Sequence, residues 1–306
     1  MEVSRNLKKE YIGAGLVCLA ATLWGLDGIV LTPRLYQLNV AYVVFVLHLL
    51  PFLGMSLLFG RSEIKKIVKL PKSDLFYYFL IALFGGSIGT LAIVKALFIV
   101  NFNHLTVVTL LQKLQPVFAI VLARIILGEK IGKNFIFWAI VALMSGYILT
   151  FQFHLPQLHD SEHIGLACIY AIIAAFSFGS STVFGKRILS NSSFLTAMYT
   201  RYMFTSIIMF LIVGWTGNFH WFTMTTKFQW MIFCIIAMTT GSGAVLLYYK
   251  GLKSIKANVA TICELCFPVS SILFDYIFNG HLLSEIQSIA VIILLFSIYR
   301  ITKNQK

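Results

Sequence analysis

The sequence predicts an all-α integral membrane protein, with ten transmembrane helices arranged as two inverted five-helix repeats. Three observations predict it. Apolar runs recur at the length a bilayer demands, because a spanning helix needs about 20 mainly apolar residues. Lysine and arginine alternate between successive connections. One unusual helix pattern is written twice. Composition agrees: 59% of the 306 residues are hydrophobic and 11% are charged, against roughly 25% charged in soluble domains.

The spans fall at 11–31, 40–60, 75–95, 105–126, 133–152, 164–185, 194–214, 228–248, 257–278 and 285–301. The longest connections, Arg61–Asp74, Phe153–His163 and Trp215–Lys227, leave no room for a soluble domain. The basic start MEVSRNLKKEY leads into an apolar run longer than a signal-peptide core, and reads as an uncleaved first helix. Orientation follows from lysine and arginine alone. Of the 24 such residues, only Arg34, Lys95 and Lys227 fall in one set of connections. Lys113 and Arg201 fall within spans, and all the others lie in the opposite set. That places both termini in the cytoplasm of a multi-pass protein of the plasma (inner) membrane. The net charge of +13 is thereby explained by topology and anionic headgroups, with no nucleic-acid partner.

The twice-written pattern organises the chain. Leu110–Lys130 carries Gln112, Lys113 and Gln115 beside Pro116 within an apolar helix. Residues 263–283 repeat the plan, with Glu264 at the place of Gln112, Pro268 at that of Pro116 and Gly280 at that of Gly128. Gly86-Ser87 likewise matches Gly241-Ser242, and Trp24-Gly25 matches Phe178-Gly179, at nearly one offset. Five spans per copy is an odd number, so the copies (1–152 and 164–306) cross in opposite senses. In transporters that arrangement puts the binding site near the midplane, between the halves.

Trp24-Gly25 on the first helix, and L-Q-K-x-Q-P-x-F at Leu111–Phe118 running into L-G-E-K at Leu127–Lys130, resemble the EamA-type branch of the drug/metabolite transporter superfamily. The resemblance covers essentially the whole chain. The second copy departs from it at Phe267 and His281. It implies secondary transport of small polar metabolites, often amino-acid export. The functional expectation is therefore an alternating-access transporter of amino-acid-type zwitterions, working as an exporter. Uptake of an organic cation or nucleoside-like metabolite stays open, as does flipping of a lipid-linked substrate.

An ionisable side chain inside the bilayer costs at least about 2.5–3.5 kcal/mol, which makes it a functional candidate by default. Lys113 and Glu264 both lie deep in their spans; they either bind a substrate's carboxylate and amine or pair with each other. Trp24 and Asp27 share one helical face, an arrangement that suits a cationic or amino group as readily as it suits simple packing. Gln112, Tyr199 and Tyr202 complete the expected cavity lining, with Pro116 and Pro268 as helix breaks. His48 and Glu264 are the candidates for proton coupling; for the histidine a plain interhelical hydrogen bond is the commoner use. Arg201, about a third of the way into its span, either binds an anionic group or, as the favoured reading, snorkels to the inner membrane surface.

Gly85–Gly89 satisfies G-x-S-x-G, but the nucleophile elbow needs a strand–turn–helix. Inside an apolar helix these small residues serve close packing, and no enzyme is expected. The five cysteines lie in apolar runs, so neither a disulfide framework nor a metal site is expected. No cofactor is implied. The expected partners are a small-molecule substrate, the lipid bilayer and a second copy in a homodimer.

Overall fold

The computed structural model describes residues 2–99, 108, 111–112, 114–152, 164–280, 282 and 284–303. In chain order the apolar helices are α1 (Lys8–Leu35), α2 (Val40–Ile67) and α3 (Lys72–Ile99). Two shorter ones follow, α4 (Gln115–Ile126) and α5 (Lys133–Phe151). The second half holds α6 (Gly165–Leu189), α7 (Phe194–Trp215), α8 (Lys227–Ser254), α9 (Ala257–Phe278) and α10 (Glu285–Lys303). Among the described residues, all but α4 and α5 are long and apolar enough to cross a membrane. The first part of the expected span 105–126 is described only at Val108, Leu111 and Gln112, and Lys113 lies outside the described residues. The fold is an all-helical, multi-span membrane protein.

The halves interlock. α1 packs on α8 and α9, while α6 packs on α3 and α4; α2 pairs with α7, and α5 with α10. Small residues make the first contacts close. Ala14, Val17, Ala20 and Ala21 of α1 are buried, as are Ala167, Ala171, Ala174 and Ala175 of α6. In lipid, where apolar burial does not drive helix association, such stripes let backbones approach and van der Waals contact do the work. The stacked rings of Tyr11 and Tyr299, 6.0 Å apart, put the two chain ends at one end of the bundle.

Gly25 and Gly179, which follow Trp24 and Phe178, mark matching contacts. A Cβ on Gly179 would stand 2.9 Å from the Gln115 carbonyl oxygen and 3.1 Å from the Ala119 nitrogen. A Cβ on Gly25 would meet Ser270 and, at 3.0 Å, the Ser271 nitrogen. In both halves, then, a helix backbone lies against the turn that follows a proline break. The breaks themselves match. α9 is helical over Ala257–Cys263, turns at Glu264–Leu265 and resumes at Cys266–Asn279. Each break holds a tight turn beside its proline, though not at the same register: the Phe267 amide donates to the Glu264 carbonyl at 3.0 Å just before Pro268, and the Val117 amide to the Leu114 carbonyl at 2.9 Å just after Pro116. Proline early in the resumed helix loses only an amide that lacks an intrahelical partner there. Gly128 (φ 66°) and Gly280 (φ 75°) end α4 and α9 in the left-handed conformation that glycine adopts without a Cβ clash.

Three π-helical turns interrupt the long helices: Asp27–Leu31 in α1, Ala82–Ile88 in α3 and Ala237–Gly241 in α8. The last two coincide with the Gly-Ser pairs. Ser87 Oγ donates to the Ala82 carbonyl (3.1 Å) and Ser242 Oγ to the Ala237 carbonyl (2.5 Å), each five residues back. π-turns occur mostly at functional sites, and all three of these border one cavity.

Candidate functional site

That cavity encloses about 360 Å³, within the roughly 300–1,000 Å³ of small-molecule sites. Every long helix except α5 and α10 contributes to its wall. Most of the wall is apolar: Val43, Leu47, Ile93 and Leu97, with the rings of Trp24, Phe178 and Phe267. Three polar groups punctuate it.

The first is centred on Glu264, at the break in α9. Its Oε1 accepts from the Tyr248 hydroxyl at 2.8 Å and from Thr182 Oγ1 at 3.2 Å, and its Oε2 accepts from Gln115 Nε2. Three donors from α8, α6 and α4 thus converge on one carboxylate, which replaces the water it would have outside the membrane. Trp24 packs on Tyr248, with ring centroids 5.4 Å apart. The second group is Arg201 of α7. Its Nη2 donates to the Gly85 carbonyl (3.1 Å) in the π-turn of α3, and its Nη1 to the Tyr249 hydroxyl (3.3 Å). Its buried Nε has no partner among the described residues. His48 stands nearby, its ring 5.7 Å from that of Tyr202. The His48 Nδ1 lies 2.8 Å from the Val44 carbonyl. A carbonyl only accepts, so Nδ1 carries the proton and Nε2 is left as the reactive nitrogen. The third group is Asp27, whose Oδ1 accepts from Thr32 Oγ1 at 3.1 Å.

At the end of the bundle that carries the chain termini, side chains tie neighbouring helices together. Glu129 Oε1 and Oε2 accept from the amides of Ala257 (2.7 Å) and Asn258 (3.1 Å), capping the start of α9. Those amides lack intrahelical acceptors, and the helix dipole favours a carboxylate there. Lys186 Nζ donates to the carbonyls of Leu252 (2.9 Å) and Lys253 (3.1 Å), and Lys253 Nζ to that of Ser192 (3.1 Å). Thr32, Val43 and Leu97, which also line the cavity, lie toward the other end.

An all-helical bundle around an amphipathic cavity suits a solute pathway, and the comparisons agree. The model of the EamA-like transporter family matches residues 11–151 and again 165–303. The chain belongs to the EamA-like transporter family. It is therefore a secondary small-molecule transporter and not an enzyme. It is 60% identical over 291 residues to the riboflavin transporter ImpX of Fusobacterium nucleatum subsp. nucleatum, covering 95% of this chain and 97% of that protein. A second relative, described as an uncharacterized transporter of Synechocystis sp., is 24% identical over 77% of this chain and 68% of its own length. A solved crystal structure superposes with a TM-score of 0.69 at 15% identity, covering 96% of this chain and 95% of that one; this likeness concerns the fold alone.

For this member of the EamA-like family, the cavity gathers Trp24, Asp27, His48, Gln112, Pro116, Tyr202, Glu264 and Pro268 from the expected set. Tyr199 sits elsewhere: it is buried, packs on Phe52, and its hydroxyl lies 3.2 Å from Ser56 Oγ. Arg201 does not snorkel. The rotation of α7 turns it toward Gly85 and Tyr249, where two acceptors and the cavity replace the membrane surface. The expected Lys113–Glu264 pair lies outside the described residues on the lysine side; the described partners of Glu264 are Gln115, Thr182 and Tyr248. Those partner hydroxyls give no signal in sequence, since Thr182 and Tyr248 sit in ordinary apolar helix.

Proposed function

We propose that the chain transports riboflavin or a closely similar flavin by alternating access. The 60% identity to a riboflavin transporter across nearly the whole of both chains carries this reading, and the cavity supports it. A flavin is a flat fused heterocycle with one polar edge and a hydroxyl-bearing arm. Trp24, Phe178 and Phe267 offer aromatic faces for the ring, and the three polar groups offer separated hydrogen-bonding ends. The amino-acid zwitterion suggested by sequence alone would leave most of this apolar wall uncovered.

The architecture proposed with it is ten spans in two inverted five-helix halves, residues 1–152 and 164–306, with α4 and α9 as the paired broken helices. The matching proline breaks, π-turns and glycine contacts support it. With the basic connections in the cytoplasm of a plasma membrane, the Glu129–Lys186–Lys253 contacts close the cytoplasmic end and the cavity faces outward. Glu264 and His48 are proposed to couple protons, and a homodimer is the proposed assembly. Direction remains to be read by experiment, export being the expectation from sequence.

The test is counterflow in proteoliposomes. Riboflavin preloaded inside is expected to drive saturable uptake of labelled riboflavin, whereas preloaded amino acids drive none. Exchange with amino acids and none with riboflavin overturns the proposal. Sided access of a membrane-impermeant flavin analogue then reports direction.

A further inference from the structure

We infer that Asp27, with Thr32 and Thr240, forms a subsite for a vicinal-diol or polyol arm, so that the transporter selects solutes by their uncharged hydroxyls; this rests on the flavin reading above, in which the arm is the ribityl chain. The two carboxylates of the cavity differ in how fully the protein satisfies them. Glu264 accepts three hydrogen bonds from protein side chains. Asp27 accepts one that meets hydrogen-bond geometry, from Thr32. A carboxylate has about four acceptor positions, and one that borders a cavity with most of them unused is an acceptor waiting for donors. Beside it the Thr240 side chain borders the same cavity, with its hydroxyl buried next to Asp27 rather than exposed to the cavity. Gly28 keeps the space open, since even a Cβ there would come no nearer than 3.8 Å to the Phe267 ring.

The chemistry of this corner discriminates. Asp27 only accepts while ionised, and Thr32, whose proton goes to Asp27, can accept as well, so a chain of hydroxyls supplies the donors that this corner lacks. A phosphate or carboxylate on the arm would face Asp27 with like charge. The cavity's guanidinium is held on another wall by Gly85 and Tyr249 and would not relieve it. The π-turn at Asp27–Leu31 belongs to this corner as well, and sets Asp27 one turn beyond Trp24. The arm is thereby placed toward the open end, with the ring deeper against Trp24.

The experiment compares riboflavin with lumiflavin, which keeps the ring and carries a methyl in place of the ribityl chain, as competitors of riboflavin counterflow. Wild type is expected to prefer riboflavin. Asp27→Asn is expected to weaken riboflavin about tenfold, the factor that one hydrogen bond to a charged acceptor contributes, with lumiflavin changed less than about twofold on the same scale. Thr240→Val, equal in shape, is expected to move riboflavin in the same direction by a smaller factor. Riboflavin 5′-phosphate is expected to compete poorly with wild type and better with Asp27→Asn. Equal weakening of riboflavin and lumiflavin, or no change in either, overturns the subsite. Wild type that exchanges no flavin at all overturns the flavin reading instead. In that case the subsite is read from ribitol, which is expected to raise the melting temperature of wild type and not of Asp27→Asn; no such difference overturns it too.

Discussion

Replacing Gly179 by alanine tests whether the fold depends on the backbone approach described above. The new Cβ would lie 2.9 Å from the Gln115 carbonyl oxygen, 3.1 Å from the Ala119 nitrogen and 3.2 Å from the Phe118 Cβ, where ordinary contact begins at 3.4 Å. The nearest two atoms are backbone, so no side chain can rotate away. α6 must part from α4 by about 0.5 Å at this point, and overpacking of that kind costs about 1–3 kcal/mol. At about 2–4 °C per kcal/mol for chains of 150–250 residues, melting should fall by roughly 2–12 °C. The displacement also moves Gln115 from Glu264, so riboflavin exchange should fall with stability. Gly25→Ala is the internal control. Its nearest neighbour is the Ser270 hydroxyl, which can turn aside, while the Ser270 Cβ and the Ser271 nitrogen stay at 3.0 Å, so part of the cost, and only part, should be relieved by Ser270→Ala. Thermal unfolding of detergent-purified protein reads wild type and the three variants. A Gly179→Ala protein that melts and transports like wild type would refute the reasoning, as would a Gly25→Ala protein that Ser270→Ala does not relieve.

Two further perturbations address the site and its closure. Glu264→Gln leaves an amide that cannot accept at one of the two carboxylate positions, and interhelical hydrogen bonds in membranes average about 0.6 kcal/mol. Melting should therefore change little while exchange drops at least about tenfold; unchanged exchange would remove Glu264 from the pathway. Glu129→Ala uncaps α9, and loss of such a cap costs about 0.5–2 kcal/mol. Hydrogen exchange at the amides of Ala257 and Asn258 should accelerate by a factor of roughly 2–30. Equal protection in variant and wild type would show that Glu129 does not hold this end shut.

The parts of the site that sequence reveals are those that disobey the apolar rule. Glu264 and Asp27 stand out because a carboxylate in a spanning helix demands a reason, and Pro116 and Pro268 because proline interrupts a helix. The family is legible from the same stretch, since the motif at Leu111–Phe118 is the turn that packs on Gly179. What sequence does not carry is helix rotation. Tyr199 and Tyr202 are three residues apart and share a face, yet α7 buries Tyr199 against Ser56 and presents Tyr202 to the cavity. The same rotation turns Arg201 inward, where a position a third of the way into a span permits either outcome. Hydroxyls are harder still. Thr182, Thr240 and Tyr248 cost little in a helix and become conspicuous only when Glu264 and Asp27 are set beside them. The amino-acid expectation came from the resemblance, whereas the volume and aromatic wall of the cavity exist only once eight helices are assembled.

Riboflavin counterflow in proteoliposomes, measured for wild type and Glu264→Gln side by side, tests the central claim most directly. The account predicts saturable exchange of riboflavin by wild type, competed by unlabelled riboflavin and not by amino acids, and its collapse in the variant at an unchanged melting temperature. Wild-type protein that is folded and inserted, exchanges amino acids and ignores riboflavin would contradict it.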